Sequence, residues 1–599
     1  MNLSKKQILS SGWLRSEPTL TAFIFCLTLV LFLTARVHQV SDSNYSMLVS
    51  ESLVKHRSFA LDQYAIPRYE PIWTGYSRNG PIYQLENVNG HLYYYLPPGT
   101  SILSTPYVAL LNLFGVSAAS PDGTYNRRGE VMIEASLASL LMALLACIFF
   151  FTARLMLPTG WSVVVALGGA LGTQVYSTAS RALWSETWGI FLLGLVVLLL
   201  LAHETGRHRF HPVLLASLLS WSYFVRPTFV LPILAITFYV LIFHRPFFLS
   251  YALTGAAWFS GFIYYSWSHF GKLLPSYYQA SRLQFDNFWI AVAGNLVSPA
   301  RGLLVYVPVL FFVAYLLVRY RRRLTYPRLV WLSLSIISAH LIIISAFPHW
   351  WGGHSFGPRL ATGLVPWFVL LGILALDAML KAATTQATTA GSLKGRRIQL
   401  VSGGLLLVLS LFINTVGATE HSTWLWNQRP LDIDKHPERL WDWRQPQFLA
   451  KLLPFPPPRE YPDLSTTRIE FSNPENEKYL WYGWSEAENG SRWADNDAAL
   501  VFASVDNNTK VLRLSMSPFL VPGKLDSQPV VVALNGQPLT TLTLRDPEPQ
   551  VYSLTLPGGM LRDKNTLSFQ MPQAQSPQKL GAGEDPRLRS INLYWMEIQ

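Results

Sequence analysis

The sequence has few charged residues and almost no cysteine. Asp, Glu, Lys and Arg make up only 14% of its 599 residues, against ~25% in an ordinary soluble protein, which argues against a soluble multidomain enzyme. The two cysteines, Cys26 and Cys147, both lie in apolar stretches, so a disulfide framework and a cysteine-based metal site are excluded. Nucleotide-binding loops and the HExxH and GxSxG hydrolase motifs are also missing. Nucleotide-driven chemistry is therefore unsupported.

Apolar and aromatic residues are abundant instead. The chain is 50% hydrophobic and contains 21 Trp, 27 Tyr and 33 Phe, too many aromatics for a disordered protein. A membrane-spanning helix needs ~20 apolar residues, and the sequence predicts a polytopic α-helical membrane protein with about eleven such spans. The predicted spans are 19–37, 131–153, 161–180, 187–203, 211–225, 228–243, 247–267, 303–319, 328–347, 360–381 and 399–417.

Basic residues predict the orientation of the helical domain, residues 1–418. The net charge is +12, but the Lys and Arg residues lie in short runs beside apolar segments, which indicates topology signals rather than nucleic-acid binding. These loops, exemplified by 319–323, are predicted to be cytoplasmic, which puts the N-terminus inside and the C-terminus outside. Residues 38–130 then form a long outer loop. Its apolar part, 99–118, is interpreted as helices near the interface, because another crossing would turn the basic loops outward.

The character of the chain changes after residue 418. Residues 419–462 are rich in Trp and Pro and are predicted to be a linker on the membrane surface. Residues 463–599 contain short alternating runs separated by turn signals such as NG, PGG and DKN, a pattern typical of an antiparallel β-sandwich of about eight strands. A jelly roll is the sandwich that we predict first, on the periplasmic or extracellular side.

Two carboxylates are candidate catalytic residues, because ionisable groups at a membrane boundary are energetically costly. Asp42 follows the first span and could deprotonate a sugar hydroxyl as a general base; alternatively, it caps the next helix. Glu186 lies at the outer end of the fourth span. It is either a second carboxylate in the same cavity or a stabiliser of the positive N-terminus of its helix.

Several outer cations and aromatics are candidates for binding a phosphate and a sugar. Arginine matches phosphate oxygens with its fork of donors, although snorkelling and lipid-headgroup contact are the alternatives. The segment 349–366 combines glycines, aromatics and cations most densely, and its two histidines lack a third ligand for zinc. The candidates are Arg226, Lys272, Arg301, His354 and Arg359 for phosphate, and Tyr277, Trp350 and Trp351 for sugar.

Loose motifs spread over the helical part resemble the GT-C glycosyltransferases, which take a sugar from a polyprenyl-phosphate carrier and include lipid A aminoarabinose transferases and protein O-mannosyltransferases. The motifs are SDSNYSMLVSESL around Asp42, LPPGTSILSTP at 96–106, SETWG at 185–189, VRPTF at 225–229, SPARGLLVYVP at 298–308 and WWGGHSFGPRL at 350–360. The resemblance implies that Asp42 is the catalytic carboxylate and that the arginines and Lys272 hold the carrier phosphate. Family members often have an acidic pair where this chain has Asp42-Ser43, which argues against a metal or a two-carboxylate mechanism. The lipid-linked sugar is a substrate, so no cofactor is expected, and a divalent metal is left open.

The C-terminal domain resembles sandwich domains attached to polysaccharide-related glycosyltransferases. The resemblance is carried by residues 482–502, 530–539 and 576–598. Within it, Trp484 and Trp493 could stack on a sugar, or they could belong to the core of the sandwich.

These resemblances imply an enzyme of the bacterial inner membrane. It would move a sugar with inversion from a polyprenyl-phosphate donor to an acceptor hydroxyl on a glycan, lipid or protein at the outer face, in cell-envelope glycan assembly or modification. The alternatives are a lipid-linked glycan transporter and a non-catalytic glycan-binding scaffold. Few charges fall near mid-membrane, which disfavours transport.

Overall fold

The computed structural model divides the chain into two compact units. One comprises residues 1–424 and 437–452, and the other comprises 425–436 and 453–599. The predicted linker 419–462 is thus shared between them. The residues that the structure describes are 17–39, 42–66, 82–385, 390–453, 458, 460–463, 468–485, 487, 488, 490–503, 508–583, 585 and 587–598.

The first unit is helical. Its helices are α1 (Pro18–Thr34), α2 (Ser46–His56), α3 (Gly99–Asn112), α4 (Arg127–Arg154), α5 (Thr159–Leu171), α6 (Ser185–Glu204), α7 (Pro212–Val225), α8 (Val230–Phe243), α9 (Arg245–Phe270), α10 (Phe288–Val297), α11 (Leu303–Tyr306), α12 (Val309–Arg319), α13 (Pro327–Ser345), α14 (Val365–Thr385), α15 (Ala390–Thr419) and α16 (His421–Leu425). Short helical turns precede α6, α8 and α14, at Val175–Ala179, Pro227–Phe229 and Arg359–Leu364. A hairpin of β1 (Leu85–Val88) and β2 (His91–Tyr94) precedes α3.

The apolar segments fold as the hydropathy pattern predicts. A helix lies in each of the eleven predicted spans, and within the described residues six helical segments are long and apolar enough to cross a membrane. The chain is therefore a helical membrane protein. The count of eleven stays a prediction, because several of the other apolar helices have only 10–17 residues. Those six segments are Arg127–Arg154, Ser185–Glu204, Arg245–Phe270, Pro327–Ser345, Arg359–Ala383 and Gly395–Thr419.

The outer loop contains no further long helix among its described residues. Helix α3 has 14 residues and an internal proline, Pro106, so it is ~21 Å long and too short for a ~30 Å hydrocarbon core. It packs beside α2 in the loop. The apolar stretch 99–118 thus forms one short helix and a turn.

Close packing around one phenylalanine brings three segments together. The ring of Phe229 lies against Gly189 of α6 and Gly363 of the turn before α14, where added Cβ atoms would approach it to 2.0 and 2.6 Å. Only glycine allows this approach at both positions. The contact holds the start of α6, the Pro227–Phe229 turn and the Arg359–Leu364 turn at one end of the helices.

The second unit is an antiparallel β domain. Its strands are β3 (Ile469–Glu470), β4 (Leu480–Trp484), β5 (Arg492–Ala503), β6 (Lys510–Pro518), β7 (Gln528–Leu534), β8 (Gln537–Leu544), β9 (Gln550–Leu556), β10 (Lys564–Gln570) and β11 (Ile591–Ile598), with a short helix α17 (Pro577–Leu580) before the last. They follow the order β8-β7-β10-β5-β11-β6-β9, with β4 on β5 and β3 on β11. The long strand β5 pairs with β10 through 497–503 and with β11 through 492–493, so it joins two halves around a shared apolar core. The antiparallel β domain is confirmed, and its jelly-roll connectivity stays a prediction.

Candidate active site

Four charged side chains from four distant parts of the chain meet at the Phe229 end of the helices. Asp42 follows α1, Glu186 is the second residue of α6, Arg226 directly follows α7, and Arg359 opens the turn before α14. Glu186, Arg226 and Arg359 are buried, and the Asp42 side chain is 29% exposed. Two carboxylates and two guanidinium groups balance, so the cluster has no net charge, as burial requires.

Arg359 is the centre of this cluster. Its Nη2 donates to Asp42 Oδ2 at 2.5 Å and its Nε lies 3.4 Å from Glu186 Oε1. Its Cζ lies 3.3 Å from the centre of the Trp184 ring, and its Nη1 donates to the Gly352 carbonyl at 3.3 Å. The guanidinium therefore links both carboxylates while an aromatic face covers it.

Arg226 is the second cation of the cluster and forms an ion pair with Glu186. Its Nη1 lies 2.8 Å from Glu186 Oε1 and donates to Ser185 Oγ at 2.9 Å, while its Nε donates to Thr228 Oγ1 at 3.2 Å. Glu186 is in the first turn of its helix and is also ion-paired in the cluster. Its place in the first turn fits a stabiliser of the helix N-terminus, whereas Glu186 does not line the pocket beside Asp42 and reaches it only through Arg359.

Asp42 accepts hydrogen bonds on both carboxylate oxygens. Tyr83 Oη donates to Oδ1 at 2.5 Å, opposite the Arg359 bond on Oδ2, and Tyr94 Oη donates to the Asp42 carbonyl at 2.8 Å. Burial raises the pKa of Asp42, but Arg359 and the Tyr83 hydroxyl lower it by more, so the pKa lies below its ordinary value of 3.8. Asp42 is therefore ionised at neutral pH.

Helix α2 is not capped by Asp42, contrary to the alternative considered from the sequence. Its N-cap residue is Tyr45, and Glu130 of α4 accepts from the backbone N–H groups of Tyr45 and Met47 at 2.9 and 2.8 Å. A glutamate from another helix thus satisfies the free N–H groups at this helix start.

A second buried glutamate of α4 holds the same loop. Glu134 Oε2 accepts from Ser43 Oγ at 2.8 Å and from the Leu183 backbone N–H at 3.2 Å. Ser43 is next to Asp42, and Leu183 is next to Trp184. Glu134 therefore ties together the two segments that flank Arg359, one turn along α4 from Glu130.

A small, partly open pocket lies beside Asp42 and Arg359. Its walls combine these two charges with aromatic rings, a proline turn and hydroxyl groups, which suits a ligand with both polar and apolar parts. The lining residues are Asp42, Ser43, Tyr94, Leu96, Pro97, Thr100, Leu183, Trp184, Ser185, Tyr277 and Arg359.

The other predicted cations lie elsewhere. Arg301 is buried and donates to the carbonyl groups of Trp351 and Gly353 at 2.8 and 3.2 Å and to Gln447 Oε1 at 2.6 Å. It therefore holds the backbone of the glycine-rich loop. Lys272 is exposed and donates to Ser276 Oγ at 3.2 Å. His354 is half-buried and does not line the pocket.

Of the three aromatics predicted to bind sugar in this unit, Tyr277 lines the pocket. Its ring lies 5.7 Å from that of Tyr95 and under the guanidinium of Arg282 at 4.2 Å. Trp350 and Trp351 are buried in the protein, and Trp350 packs on Gly294, where an added Cβ would approach the ring to 2.1 Å.

The two candidate tryptophans of the β domain are partly buried. Trp484 Nε1 donates to the Ala499 carbonyl at 2.8 Å, and its ring packs 5.9 Å from Phe569. Trp493 lies under the guanidinium of Arg589 at 4.9 Å. These contacts are typical of structural packing, and they neither test nor exclude a sugar role.

Sequence reasoning did not select Tyr83, Tyr94, Thr100 or Trp184. Trp184 is two residues from the candidate Glu186, and this proximity in the sequence could have indicated that Trp184 belongs to the site. Tyr83 precedes a β-hairpin and Tyr94 ends it, and the contact of both with Asp42 depends on the tertiary fold. Thr100 was quoted within a family-like motif without any role.

Comparison with solved structures finds distant matches that include an oligosaccharyltransferase and ArnT. The Archaeoglobus fulgidus oligosaccharyltransferase, tethered to an acceptor peptide, matches 76% of this chain and 62% of its own length, with 11% identity and a TM-score of 0.43. Its apo form matches with a TM-score of 0.40. ArnT from Cupriavidus metallidurans, bound to undecaprenyl phosphate, matches 74% of this chain and 76% of its own, with 13% identity and a TM-score of 0.37.

All of these matches lie below 25% identity and below a TM-score of 0.5. The chain spans about 62% of the length of the oligosaccharyltransferase. No family model and no curated protein matches the sequence. At these identities and TM-scores, any function assigned to the chain has to rest on the residues of its own site.

Proposed function

We propose that this protein is a GT-C-type membrane glycosyltransferase that moves a sugar from a polyprenyl-phosphate donor to an acceptor hydroxyl. The observation that supports it is the neutral buried cluster of Asp42, Glu186, Arg226 and Arg359, which borders a pocket at one end of the apolar helices. A carboxylate beside a guanidinium supplies what the transfer needs, a proton acceptor and a cation for the leaving phosphate.

In the proposed step, the acceptor oxygen forms a bond to the anomeric carbon while the bond from that carbon to the phosphate oxygen breaks. The hydroxyl proton passes to Asp42, and the polyprenyl phosphate leaves with the bonding electron pair. The sugar is transferred with inversion through a transition state of oxocarbenium character. Arg359 stabilises the negative charge on the departing phosphate. The positive charge comes from arginine in this proposal, and no cofactor takes part.

Asp42 and Arg359 neutralise each other before the donor binds, because they are joined by a 2.5 Å hydrogen bond. We expect the donor phosphate to compete for Arg359. As the guanidinium turns to the phosphate, the Asp42 carboxylate loses the contact that lowers its pKa and becomes a better base. The ion pair would thus link donor binding to base activation.

We propose that the site faces the outer leaflet of a bacterial inner membrane. Helix α6 has 20 residues and is ~30 Å long. Glu186 lies in its first turn, and Glu204 at its far end pairs with Arg328 at 2.5 Å. The basic loop 205–211 follows that far end, and the positive-inside rule makes it cytoplasmic. The donor sugar would lie against Tyr277 and Trp184, with a glycan, lipid or protein as acceptor.

The test is a transferase assay on the purified protein with short-chain polyprenyl-phosphate sugars. Asp42→Asn keeps the size of the side chain and removes the base, so the rate should fall by roughly 10²–10⁴-fold. Asp62→Asn is a matched control, because Asp62 is in the same loop but accepts from the Leu92 N–H and pairs with His91 outside the pocket. A transporter or scaffold would show no turnover at all, and an Asp42→Asn variant with wild-type turnover would refute the base assignment.

A further inference from the structure

The N-terminus of helix α3 forms one wall of the pocket. The helix begins at Gly99, follows Pro97 and Pro98, and has no side-chain cap at its N-cap residue, Pro98. Leu96, Pro97 and Thr100 all line the pocket. The first N–H groups of an α-helix have no acceptor within the helix and carry a partial positive charge. They form a ready anion-binding position when a pocket lies in front of them.

Thr100 provides an independent sign of a ligand. Thr100 is only 4% exposed, and its hydroxyl Oγ1 is buried without a hydrogen-bond partner among the described residues. Most buried hydroxyl groups are hydrogen-bonded, because an unpaired one is costly. Thr100 is also one of the residues that line the pocket with Asp42 and Arg359. A ligand oxygen in the pocket would satisfy it.

The position of this helix start is tightly fixed. A Cβ added at Gly99 would lie 2.5 Å from the carbonyl carbon of Phe224, so the backbones of α3 and α7 are in direct contact. Phe224 is two residues before Arg226, and its carbonyl accepts from Tyr278 Oη at 2.8 Å. The start of α3 is therefore fixed in position close to Arg226 of the charged cluster.

The charge balance of the cluster explains why a phosphate would need the N-terminus of α3 in addition to the arginines. Both guanidinium groups of the cluster are already paired with carboxylates. An incoming phosphate finds no unpaired cation there until it has displaced Asp42. Helix N–H groups and a hydroxyl bind an anion without a counter-charge of their own, so they could receive the phosphate first.

We propose that the N-terminus of α3, with Thr100 Oγ1, is a binding subsite for a phosphate group, opposite Arg359 in the same pocket. The proposal rests on the glycosyltransferase function, since the ligand chemistry is the phosphate of the lipid carrier. It assigns Thr100 as a donor-binding residue and makes no claim about proton transfer.

The experiment measures binding of undecaprenyl phosphate to the full-length protein in detergent, with undecaprenol as the uncharged control. Thr100→Val keeps the side-chain shape and removes the hydroxyl, so the affinity should fall about 10-fold, as for one hydrogen bond to a charged group. Thr100→Asp places a carboxylate where it favours the helix and repels the phosphate, so binding should be lost in a folded protein. Thr100→Ser should bind as the wild type does.

Thr105→Val is the matched control on the same helix, because Thr105 Oγ1 donates only to the Ser101 carbonyl, at 2.9 Å. An equal loss of affinity in Thr105→Val and Thr100→Val would mean that helix packing, not a subsite, is responsible, and it would overturn the proposal. Wild-type affinity in Thr100→Val and Thr100→Asp would overturn it too, while leaving the glycosyltransferase proposal intact. A wild-type protein that binds no undecaprenyl phosphate would overturn both. A second titration uses inorganic phosphate in place of the lipid. The same ranking of affinities, with the wild type and Thr100→Ser above Thr100→Val and Thr100→Asp, would support the subsite.

Discussion

Replacing Arg359 by glutamine should destabilise the helical unit strongly, because this one guanidinium contacts both carboxylates of the cluster. Its side chain is 9% exposed and contacts Asp42, Glu186 and the ring of Trp184. Breaking a buried ion pair by removing one partner typically costs 3–5 kcal/mol, since the other charge is left uncompensated. Asp42 keeps 29% exposure and Glu186 keeps Arg226 as a partner. We therefore expect about 3 kcal/mol, at the lower end of this range.

The double variant Arg359→Gln with Asp42→Asn separates charge from packing. It removes one charge of each sign, so the remaining pair, Glu186 and Arg226, stays balanced. Its free energy of unfolding should be closer to the wild-type value than the sum of the two single changes, by about 0.5–3 kcal/mol. Glycosyl transfer should remain lost in all three variants, because the base or its activating cation is missing.

The assay is unfolding of the purified protein in detergent, followed by tryptophan fluorescence. Arg444→Gln is a matched control, because Arg444 pairs with Asp442 and its side chain is 78% exposed. Such exposed pairs are worth ~0–1 kcal/mol. The reasoning is refuted if Arg359→Gln is no more destabilising than Arg444→Gln. It is also refuted if the double variant is simply additive.

Two further predictions concern residues outside the pocket. Arg301→Lys should lower the unfolding temperature, because lysine cannot reach the Trp351 and Gly353 carbonyls together. The folded variant should still bind undecaprenyl phosphate with wild-type affinity. A weaker affinity would indicate that Arg301 does bind the phosphate. Burial raises the pKa of Glu86 to about 7, and Lys272 offsets this only in part. The folded state therefore favours protonated Glu86, so its contribution to stability is complete below pH ~4.5 and is lost as the pH rises through about 7. Glu86→Gln should flatten that part of the stability–pH curve in thermal unfolding scans, and an unchanged slope would contradict the burial argument.

The sequence predicted the parts of the fold that depend on local composition. Apolar runs indicate membrane helices whatever their neighbours, because the bilayer imposes their length and polarity. Alternating runs indicated eight of the nine described strands of the β domain in the same way. The strand that was missed, Leu480–Trp484, reads LWYGW without alternation, and its pairing with β5 contains register shifts.

The sequence also supplied the right residue types for the site, with no means of choosing among them. The local sequence does not distinguish the three arginines beside apolar segments, Arg226, Arg301 and Arg359. The fold pairs the first and last with carboxylates and seats Arg301 against Gln447, 146 residues away. Those pairings depend on long-range packing that no local pattern encodes.

By itself, the amino-acid sequence determined a helical membrane protein with an antiparallel β domain, because hydropathy and side-chain alternation act over short stretches of chain. Only the tertiary structure decided that Asp42, Glu186, Arg226 and Arg359 meet, since they come from distant segments of the chain. The Phe229 ring packs against Gly189 and Gly363, a few residues from three of them. The tertiary structure also decided which groups surround the four charged residues: Tyr83 before the hairpin, Trp184 before α6 and Thr100 at the start of α3. Such a site arises when burial forces distant charges to neutralise one another, and burial is a property of the folded chain alone.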